Sequence, residues 1–253
     1  MKSIYTKNKK MVKNFRLYTE EELETNKTIF LNEQQTHYLK NVVKISNQDT
    51  LHCFDNKNGE FLCELININK KNTEILVKEK TKDYKQAPDI WLLFAPLKKD
   101  KTDFVIEKAT ELGIRKIIPT LTTHTITSNI KTDRYLAQAI EASEQSRRTD
   151  IPEISSPETL QNIIQNWDSS RTLFFMDETL ESKPFIEELK NTKTTKSAIL
   201  IGPEGGFSTN ELATLRKLPF AKGATLGPRI LRAETAVAAA LSCWQATLGD
   251  WRN

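Results

Sequence analysis

Histidine and cysteine are scarce in this chain, which has three of each among 253 residues. The cysteines, Cys53, Cys63 and Cys243, show no C-x-x-C spacing, so we expect buried reduced thiols rather than a zinc site or a disulfide framework. The three histidines are too few and too dispersed for a metal cluster or a histidine-based catalytic triad. The sequence therefore predicts no metal site.

Long hydrophobic runs are also absent, and no apolar segment approaches the length of a membrane span. The first fifteen residues are basic but contain neither an apolar core nor a cleavage site, so no signal peptide is predicted and we expect a cytoplasmic protein. The formal net charge of +4 is compatible with a polyanionic partner without requiring one.

The glycine pattern excludes two common phosphate-binding motifs. No Gly-Lys-Ser/Thr follows the glycines at Gly202, Gly205 and Gly206, so there is no Walker-type loop. Their spacing also misses G-x-G-x-x-G, and they lie near the end of the chain. A dinucleotide-binding fold is therefore not predicted.

The stretch 197–248 organises the rest of the chain. Its apolar run 198–201 predicts a buried strand, which leads into the loop 202–206, where glycines permit positive φ and close approach of a ligand. Ser208 and Glu211 have the spacing of a capping box, so a helix should begin there. A second strand should end near Leu226, followed by another glycine-containing loop and an Ala-rich helix at 234–248. Because open α/β sheets bind ligands at strand carboxyl ends, these two loops predict a ligand pocket.

The amino-terminal part of the chain shows a different pattern. A short helix is predicted at 36–43, followed by strands at 50–55, 60–67 and 73–79 that are joined by Asn- and Lys-rich turns. Short strands with no helix between them predict a small β-barrel or meander.

From residue 90 onwards, strands alternate with helices. Strands are predicted at 90–95, 114–119 and 171–176, and helices at 101–112, 132–147 and 184–190. This alternation is typical of a mostly parallel sheet with helices on both faces. We therefore predict two domains, an amino-terminal one at 11–82 and a carboxyl-terminal one at 89–253, with a polar linker at 83–88.

Two motifs in this order, IGPEGGF at 201–207 and LGPRILRAETA at 226–236, resemble the carboxyl-terminal signature of the SPOUT methyltransferases. More narrowly, the chain is similar to the RsmE-type enzymes, which methylate N3 of a uridine in 16S ribosomal RNA. KATELG at 108–113 and EASEQS at 141–146 agree with this resemblance, which covers nearly the whole chain from Met11. Residues 1–10 precede the point where the family usually begins, and we expect them to be a disordered extension.

The resemblance implies a PUA-like RNA-binding barrel followed by a SPOUT domain with a trefoil knot, assembled as a homodimer. The implied cofactor is S-adenosylmethionine, with no metal. The residues that would line its pocket are Met176, Leu200, Ile201, Gly202, Pro203, Glu204, Gly205, Leu226, Gly227, Ile230 and Leu231. For Met176 alone, core packing is an equal explanation.

The implied reaction requires the uracil imide to lose its N3 proton before it attacks the methyl group. A fixed guanidinium suits the negative charge that spreads onto the flanking carbonyl oxygens, so Arg232 is the first catalytic candidate and Arg229 the second. Glu234 and Glu204 are candidate bases or orienting groups. Glu234 is equally explained by its place at the start of a helix, and the sequence leaves the base open.

Basic residues in both domains are candidate RNA contacts, although solvated charge is the ordinary explanation of such residues. The candidates are Arg16, Lys40, Lys44, Lys98, Lys99, Lys101, Arg147 and Arg148. Family members often carry arginine near Lys44, so lysine here puts a fork-like contact in doubt. Two other functions stay open: a related enzyme that acts on a transfer RNA base or a ribose 2′-hydroxyl, and a non-enzymatic RNA-binding assembly factor.

Overall fold

The computed structural model describes residues 15–69, 72–127 and 130–252, except for the side chain of Lys99. The predicted extension at 1–10 lies outside the described residues. By their internal contacts, the described residues form two units that divide between Gln86 and Ala87. The segment Glu144–Asp150 belongs to the first unit, an assignment that the sequence did not suggest.

The first unit is a curled five-stranded sheet with the strand order β1-β3-β4-β5-β2. The strands are β1 (Arg16–Tyr18), β2 (Thr28–Leu31), β3 (Thr50–Asp55), β4 (Gly59–Ile68) and β5 (Thr73–Lys82). The three predicted strands are confirmed. Register shifts along the β4–β5 pair add local twist, which helps to curl the sheet around its apolar core.

A tight turn joins β3 to β4. The carboxylate of Asp55 accepts backbone N–H bonds from Lys57, Asn58 and Gly59, which is typical of Asp in a turn. Gly59 has a φ of +99°, and a Cβ there would lie 2.2 Å from the carbonyl oxygen of Lys82. Only glycine satisfies both the conformation and the close approach of β5.

The predicted helix at 36–43 is two elements. Helix α1 (Glu33–His37) begins at a capping box formed by Asn32 and Gln35. A π-helix, Tyr38–Val43, continues it and ends where Lys44 adopts a left-handed conformation with φ +57°. Such π-type segments are rare and short.

The second unit is built on a parallel sheet with the strand order β11-β13-β10-β12-β6-β7-β8, and β9 also pairs with β7. The strands are β6 (Ile90–Phe94), β7 (Lys116–Leu121), β8 (Glu153–Ile154), β9 (Glu158–Thr159), β10 (Thr172–Met176), β11 (Lys183–Pro184), β12 (Ser197–Ile201) and β13 (Ala221–Thr225). The predicted mostly parallel sheet is confirmed.

Helices cover both faces of this sheet. They are α2 (Lys99–Glu111), α3 (Thr132–Ser146), α4 (Leu160–Gln165), α5 (Phe185–Lys190), α6 (Thr209–Leu215) and α7 (Ala233–Thr247), and a 3₁₀ turn, Asp250–Arg252, follows α7. The predicted capping box at the start of α6 is confirmed, because Ser208 and Glu211 exchange hydrogen bonds as expected. Helix α2 begins two residues before the predicted position.

Two apolar cores separate the layers of the second unit. One core contains residues of α2, α3, α5 and α7, and the other contains residues of α4 and α6. Strand β12 contributes to both, since Ile199 and Ile201 face the first core whereas Ala198 and Leu200 face the second. A strand that is buried on both faces reads as a continuous apolar run, as 198–201 does.

Candidate functional site

A pocket of about 680 Å³ lies at the carboxyl ends of the neighbouring strands β10, β12 and β13. Three loops form it: the 177–182 loop after β10, the glycine loop (202–206) after β12, and the 226–232 loop after β13. The first turns of α2 and α7 also contribute, through Lys101 and through Ala233 and Ala236. The sequence predicted a pocket at two of these three loops.

The glycine loop is fixed by contacts on its outer side. The N–H of Gly206 donates to the carbonyl of Pro203 at 2.9 Å, and the next N–H, of Phe207, donates to the carboxylate of Glu178 at 3.0 Å. Gly206 has a φ of +71°, and a Cβ there would lie 2.3 Å from that carboxylate. Nδ1 of His124 lies 3.0 Å from the carbonyl oxygen of Gly206. These contacts within the protein define the backbone path of the loop.

The 177–182 loop is built around a buried carboxylate. Asp177 accepts hydrogen bonds from the hydroxyls of Thr179 and Ser182, both at 2.7 Å, and from the guanidinium of Arg216 at 3.0 Å. Burial by itself raises the pKa of Asp177, but these hydrogen bonds outweigh it and hold the pKa below its ordinary value. The carboxylate therefore stays charged and fixes the loop.

The 226–232 loop is the most exposed part of the pocket. Gly227 has a φ of +105°, and Ile230 is 78% exposed although its side chain is large and apolar. Among the described residues, neither Arg229 nor Arg232 forms a side-chain hydrogen bond or salt bridge. Both guanidiniums line the pocket and are free to meet negative charge.

One ion pair joins the remaining pocket charges. Lys101, on α2, contacts the carboxylate of Glu204 in the glycine loop. Its hydrogen bond and charge lower the pKa of Glu204, and the charges of Lys98 and Arg232 act in the same direction. At neutral pH, Glu204 is ionised and is a weak proton acceptor.

All of the predicted cofactor-binding residues except Leu200 line the pocket. Leu200 is fully buried and faces the opposite side of the sheet, where it packs with Phe207, Leu212 and Leu215. The side chain of Leu200 points away from the pocket because successive residues of a strand point to opposite faces, so Leu200 and Ile201 cannot both place their side chains there.

The predicted catalytic residues divide into two groups. Arg229 and Arg232 line the pocket, whereas Glu234 does not. One carboxylate oxygen of Glu234, Oε2, is buried and has no hydrogen-bond partner among the described residues. Glu234 lies in the first turn of α7, where its charge complements the helix dipole.

Two of the predicted RNA contacts, Arg16 and Arg148, are paired within the first unit. Arg16 is 5% exposed, donates to Glu60 at 2.5 Å, and reaches the carbonyls of Glu144 and Arg148 at 2.9 and 2.6 Å. Burial raises the pKa of Glu60, but the charge and hydrogen bond of Arg16 lower it below its ordinary value. Arg148 forms a two-point pair with Asp150, with both distances 3.0 Å. Both guanidiniums therefore have partners inside the folded unit, and we do not carry them forward as proposed RNA contacts.

The other predicted RNA contacts are differently placed. Lys40, Lys44, Lys98 and Arg147 are exposed, and Arg147 has a left-handed backbone with φ +62°. The side chain of Lys99 lies outside those described. Lys101 was predicted only as an RNA contact, and it lines the pocket beside Glu204.

The sequence also missed several pocket residues. They are Asp177, Glu178, Leu180, Gly206, Ala224, Ala233 and Ala236. The first three follow Met176, the last residue of β10, so the rule that ligands bind at strand carboxyl ends was enough to mark the 177–182 loop.

Within the described ranges, no group of three or more His, Cys, Asp or Glu side chains is arranged to hold a metal ion. In the same part of the chain, no helix has both the length and the apolar character that crossing a membrane requires.

Two family models match the chain. The model described as an RNA methyltransferase domain matches residues 85–245, and the one described as an RNA methyltransferase PUA domain matches residues 31–78. The first match spans well over half of the chain and contains every residue that lines the pocket.

Curated proteins and solved structures give the same result. The chain is 32% identical to ribosomal RNA small subunit methyltransferase E of Rickettsia conorii, over 90% of this chain and 93% of that protein. It is 29% identical to the protein of that name from Bacillus subtilis, over 88% of this chain and 92% of that protein. The crystal structure of ribosomal RNA small subunit methyltransferase E from Neisseria gonorrhoeae, bound to S-adenosyl methionine, superposes with a TM-score of 0.84 at 27% identity, covering 94% of this chain and 99% of that one.

Proposed function

This chain belongs to the ribosomal RNA small subunit methyltransferase E family, and we propose that it transfers a methyl group from S-adenosylmethionine to N3 of a specific uridine in 16S ribosomal RNA. The observation that carries the proposal is the pocket at the carboxyl ends of β10, β12 and β13, with its fixed glycine loop and two unpaired guanidiniums among the described residues.

The pocket residues suit S-adenosylmethionine. Met176, Ile201, Leu226 and Leu231 provide aliphatic walls for an adenosine, and the glycine loop presents backbone groups at close range. A volume of about 680 Å³ is within the range of ligand sites for molecules of this size. When bound, the cofactor supplies an electrophilic methyl group on a sulfonium centre.

Arg232 is proposed to stabilise the negative charge of the uracil imide. It caps the start of α7 with an extended backbone and is exposed at the pocket. A guanidinium close to a developing negative charge lowers the barrier by stabilising that charge. Arg229, which also lines the pocket, is proposed to assist or to hold a neighbouring phosphate.

The proton of N3 is proposed to leave to water. Glu204 is a poor acceptor because its pKa is lowered, chiefly by the hydrogen bond from Lys101. Glu234 does not line the pocket and has one oxygen buried. We therefore assign Glu234 a role at the start of α7 rather than in proton transfer.

The domain roles follow the family descriptions. We propose that residues 11–82 form an RNA-binding PUA-like domain, that 83–88 link it, and that 89–253 form the methyltransferase domain. Lys40, Lys44, Lys98, Lys99 and Arg147 are the proposed phosphate contacts. If so, RNA binding should weaken steeply with salt, and replacing these residues should reduce the slope of that dependence.

We also propose that the carboxyl-terminal domain carries the trefoil knot of SPOUT enzymes and that the protein is a homodimer. Both proposals rest on family membership. Sedimentation equilibrium would test the dimer directly, since a molecular mass equal to that of one chain at micromolar concentration would contradict it.

Nucleoside analysis by mass spectrometry is the decisive experiment. Ribosomal RNA from cells without the gene should lack 3-methyluridine in the small-subunit RNA, and the wild-type gene should restore it. The Arg232→Ala gene should fail to restore it, whereas the Lys217→Ala gene should succeed, because Lys217 is an exposed lysine outside the pocket.

The alternatives give different results. Unchanged small-subunit RNA together with a missing methylated nucleoside in transfer RNA would indicate a related enzyme with another target. No change in any methylated nucleoside, together with no binding of S-adenosylhomocysteine by the purified protein, would indicate an RNA-binding assembly factor.

A further inference from the structure

Leu180 combines two unfavourable features at the pocket. It has a φ of +62°, in the left-handed region that leucine rarely adopts, and its large apolar side chain is 44% exposed. The same side chain lines the pocket. A backbone outlier of this kind persists only where the surrounding structure enforces it, and such residues concentrate at ligand sites.

The surrounding structure that enforces this conformation is the hydrogen-bond network of Asp177. Its carboxylate binds residues on both sides of Leu180, at Thr179 and Ser182, and its own N–H donates to the carbonyl of Ala224 at 2.9 Å. Arg216, which follows the last residue of α6, joins the network and also forms an ion pair with Glu181 at 2.9 Å. Both neighbours of Leu180, Thr179 and Glu181, are thus tied to one guanidinium.

We propose that Leu180 is a specificity-determining contact for the adenosine of the cofactor and that Asp177 and Arg216 are positioning residues that hold it over the pocket. The inference rests on the proposed function, because it deepens the assignment of this pocket to S-adenosylmethionine.

The chemistry of the pocket points to the adenosine rather than to the amino-acid end. A leucine side chain offers no hydrogen bond or charge, so it gains from contact with a flat, weakly polar ring system. Leu180 shares the pocket with the apolar side chains of Met176 and Leu226, whereas the charged side chains there, such as Lys101 and Arg232, suit the carboxylate of the amino acid or the RNA. An exposed leucine in a strained backbone has no stabilising role of its own.

The Leu180→Gly variant separates binding from stability. Glycine adopts a positive φ without strain, so the thermal midpoint should be unchanged or higher. Loss of the side chain should raise the dissociation constant of S-adenosylhomocysteine about tenfold by calorimetry. The dissociation constant of 5′-methylthioadenosine, which lacks the amino acid, should rise by the same factor.

Gln48→Gly is the matched control. Gln48 is exposed and has a φ of +71°, and it lies on the first unit, outside the pocket. This variant should also keep or raise the thermal midpoint, yet leave both dissociation constants within twofold of wild type. Leu180→Ala keeps the strain and loses the contact, so it should weaken binding like glycine while leaving the thermal midpoint at or below that of Leu180→Gly.

The results that would overturn the inference are equally definite. Binding of S-adenosylhomocysteine by Leu180→Gly within twofold of wild type removes Leu180 and leaves the proposed function standing. A loss confined to S-adenosylhomocysteine, with 5′-methylthioadenosine unaffected, contradicts the adenosine assignment. Failure of the wild-type protein to bind either ligand removes the proposed function and this inference with it.

Arg216→Met tests the positioning role without touching the pocket. Without the contacts of Arg216 to Thr179 and Glu181, the affinity for S-adenosylhomocysteine should fall about threefold, and Arg216→Lys should restore part of it. Equal affinity in all three proteins would show that the network does not position Leu180.

Discussion

The two edges of the large sheet that run across its strand ends are built in opposite ways. At the amino-terminal edge, where the strands begin, Arg171 is 4% exposed, pairs with Asp89 at 2.9 Å, and donates to the carbonyls of Asp89 and Ser197, both at 3.1 Å. Its guanidinium lies 3.7 Å from the ring centre of Trp91. At the carboxyl-terminal edge, Arg229 and Arg232 are exposed and have no such partners among the described residues.

The aromatic side chains show the same contrast. Trp167 packs edge-on against Trp91 and stacks on Phe220, and its Nε1 donates to the carbonyl of Arg171 at 2.9 Å. The opposite edge instead has backbone with positive φ and an exposed Ile230. Arginine therefore stabilises the fold where its charge and face are both occupied, and it is available for chemistry where they are not.

The largest effect on stability should come from replacing Arg171, the arginine whose guanidinium is paired with Asp89. Replacing Arg171 with Met leaves the Asp89 carboxylate without its close partner and removes the contact with Trp91. Because the mostly buried carboxylate keeps, among the described residues, only the longer pair with Arg115, at 3.7 Å, we expect a loss of about 3 kcal/mol in the free energy of unfolding. Urea unfolding measures it, with Lys217→Met as the surface control. Affinity for S-adenosylhomocysteine should stay within threefold, and a large loss of affinity would contradict the separation of the two edges.

The next effect concerns Arg232, whose guanidinium has no hydrogen-bond or salt-bridge partner among the described residues. Arg232→Ala should reduce turnover about 100-fold, which corresponds to about 2.7 kcal/mol in the barrier. The free energy of unfolding and the affinity for S-adenosylhomocysteine should both change little. Single-turnover methylation of small-subunit RNA is the measurement, and turnover within threefold of wild type would remove Arg232 from the mechanism.

A smaller effect is expected from the backbone of the glycine loop. Gly206→Ala places a Cβ against the carboxylate of Glu178 in a conformation that alanine disfavours. We expect a loss of stability of about 1 kcal/mol or more and a severalfold loss of S-adenosylhomocysteine affinity. Gly227→Ala is the control, since a Cβ there meets no atom within 4 Å although its φ is also positive. Equal affinity losses in the two variants would show that strain alone, not the contact with Glu178, shapes the loop.

The smallest effect concerns acid stability at the carboxyl-terminal edge. Burial raises the pKa of Glu211, but the N–H bonds of Ser208 and Thr123 outweigh it and hold the pKa below its ordinary value. Since the pKa is lower in the folded state, this stabilisation is present above the ordinary pKa of glutamate and is lost as the pH falls through the folded value. Glu211→Gln should therefore flatten the decline of unfolding free energy below about pH 4.5. An unchanged decline would contradict the assignment.

Regular patterns allowed much of the fold to be predicted. Apolar runs of strand length, the Ser208–Glu211 capping box and the turn between β3 and β4 are local signals, and each is confirmed. Strands β8, β9 and β11 were missed, because two residues are too few to show a period. They exist only through their pairing with β7 and β13.

The candidate site was predictable as a place more than as a set of side chains. The glycine loop and the 226–232 loop mark it in the sequence. The sequence does not show which side chains of β12 face the pocket. Residues 198–201 are apolar at every position, so no alternation distinguishes the face of Leu200 from that of Ile201. Likewise, the burial of Arg16 depends on carbonyls more than 100 residues away, which no local pattern reveals.

Those distant carbonyls have a consequence for folding during synthesis. Arg16 completes its hydrogen bonds with Glu144 and Arg148, which the ribosome adds 128 and 132 residues later. The first unit therefore acquires its last native contacts only after residue 150 of 253 has emerged. A fragment that ends at Gln86 would leave the Arg16 guanidinium without two of its acceptors, so nascent chains of that length cannot finish the fold that the complete protein reaches.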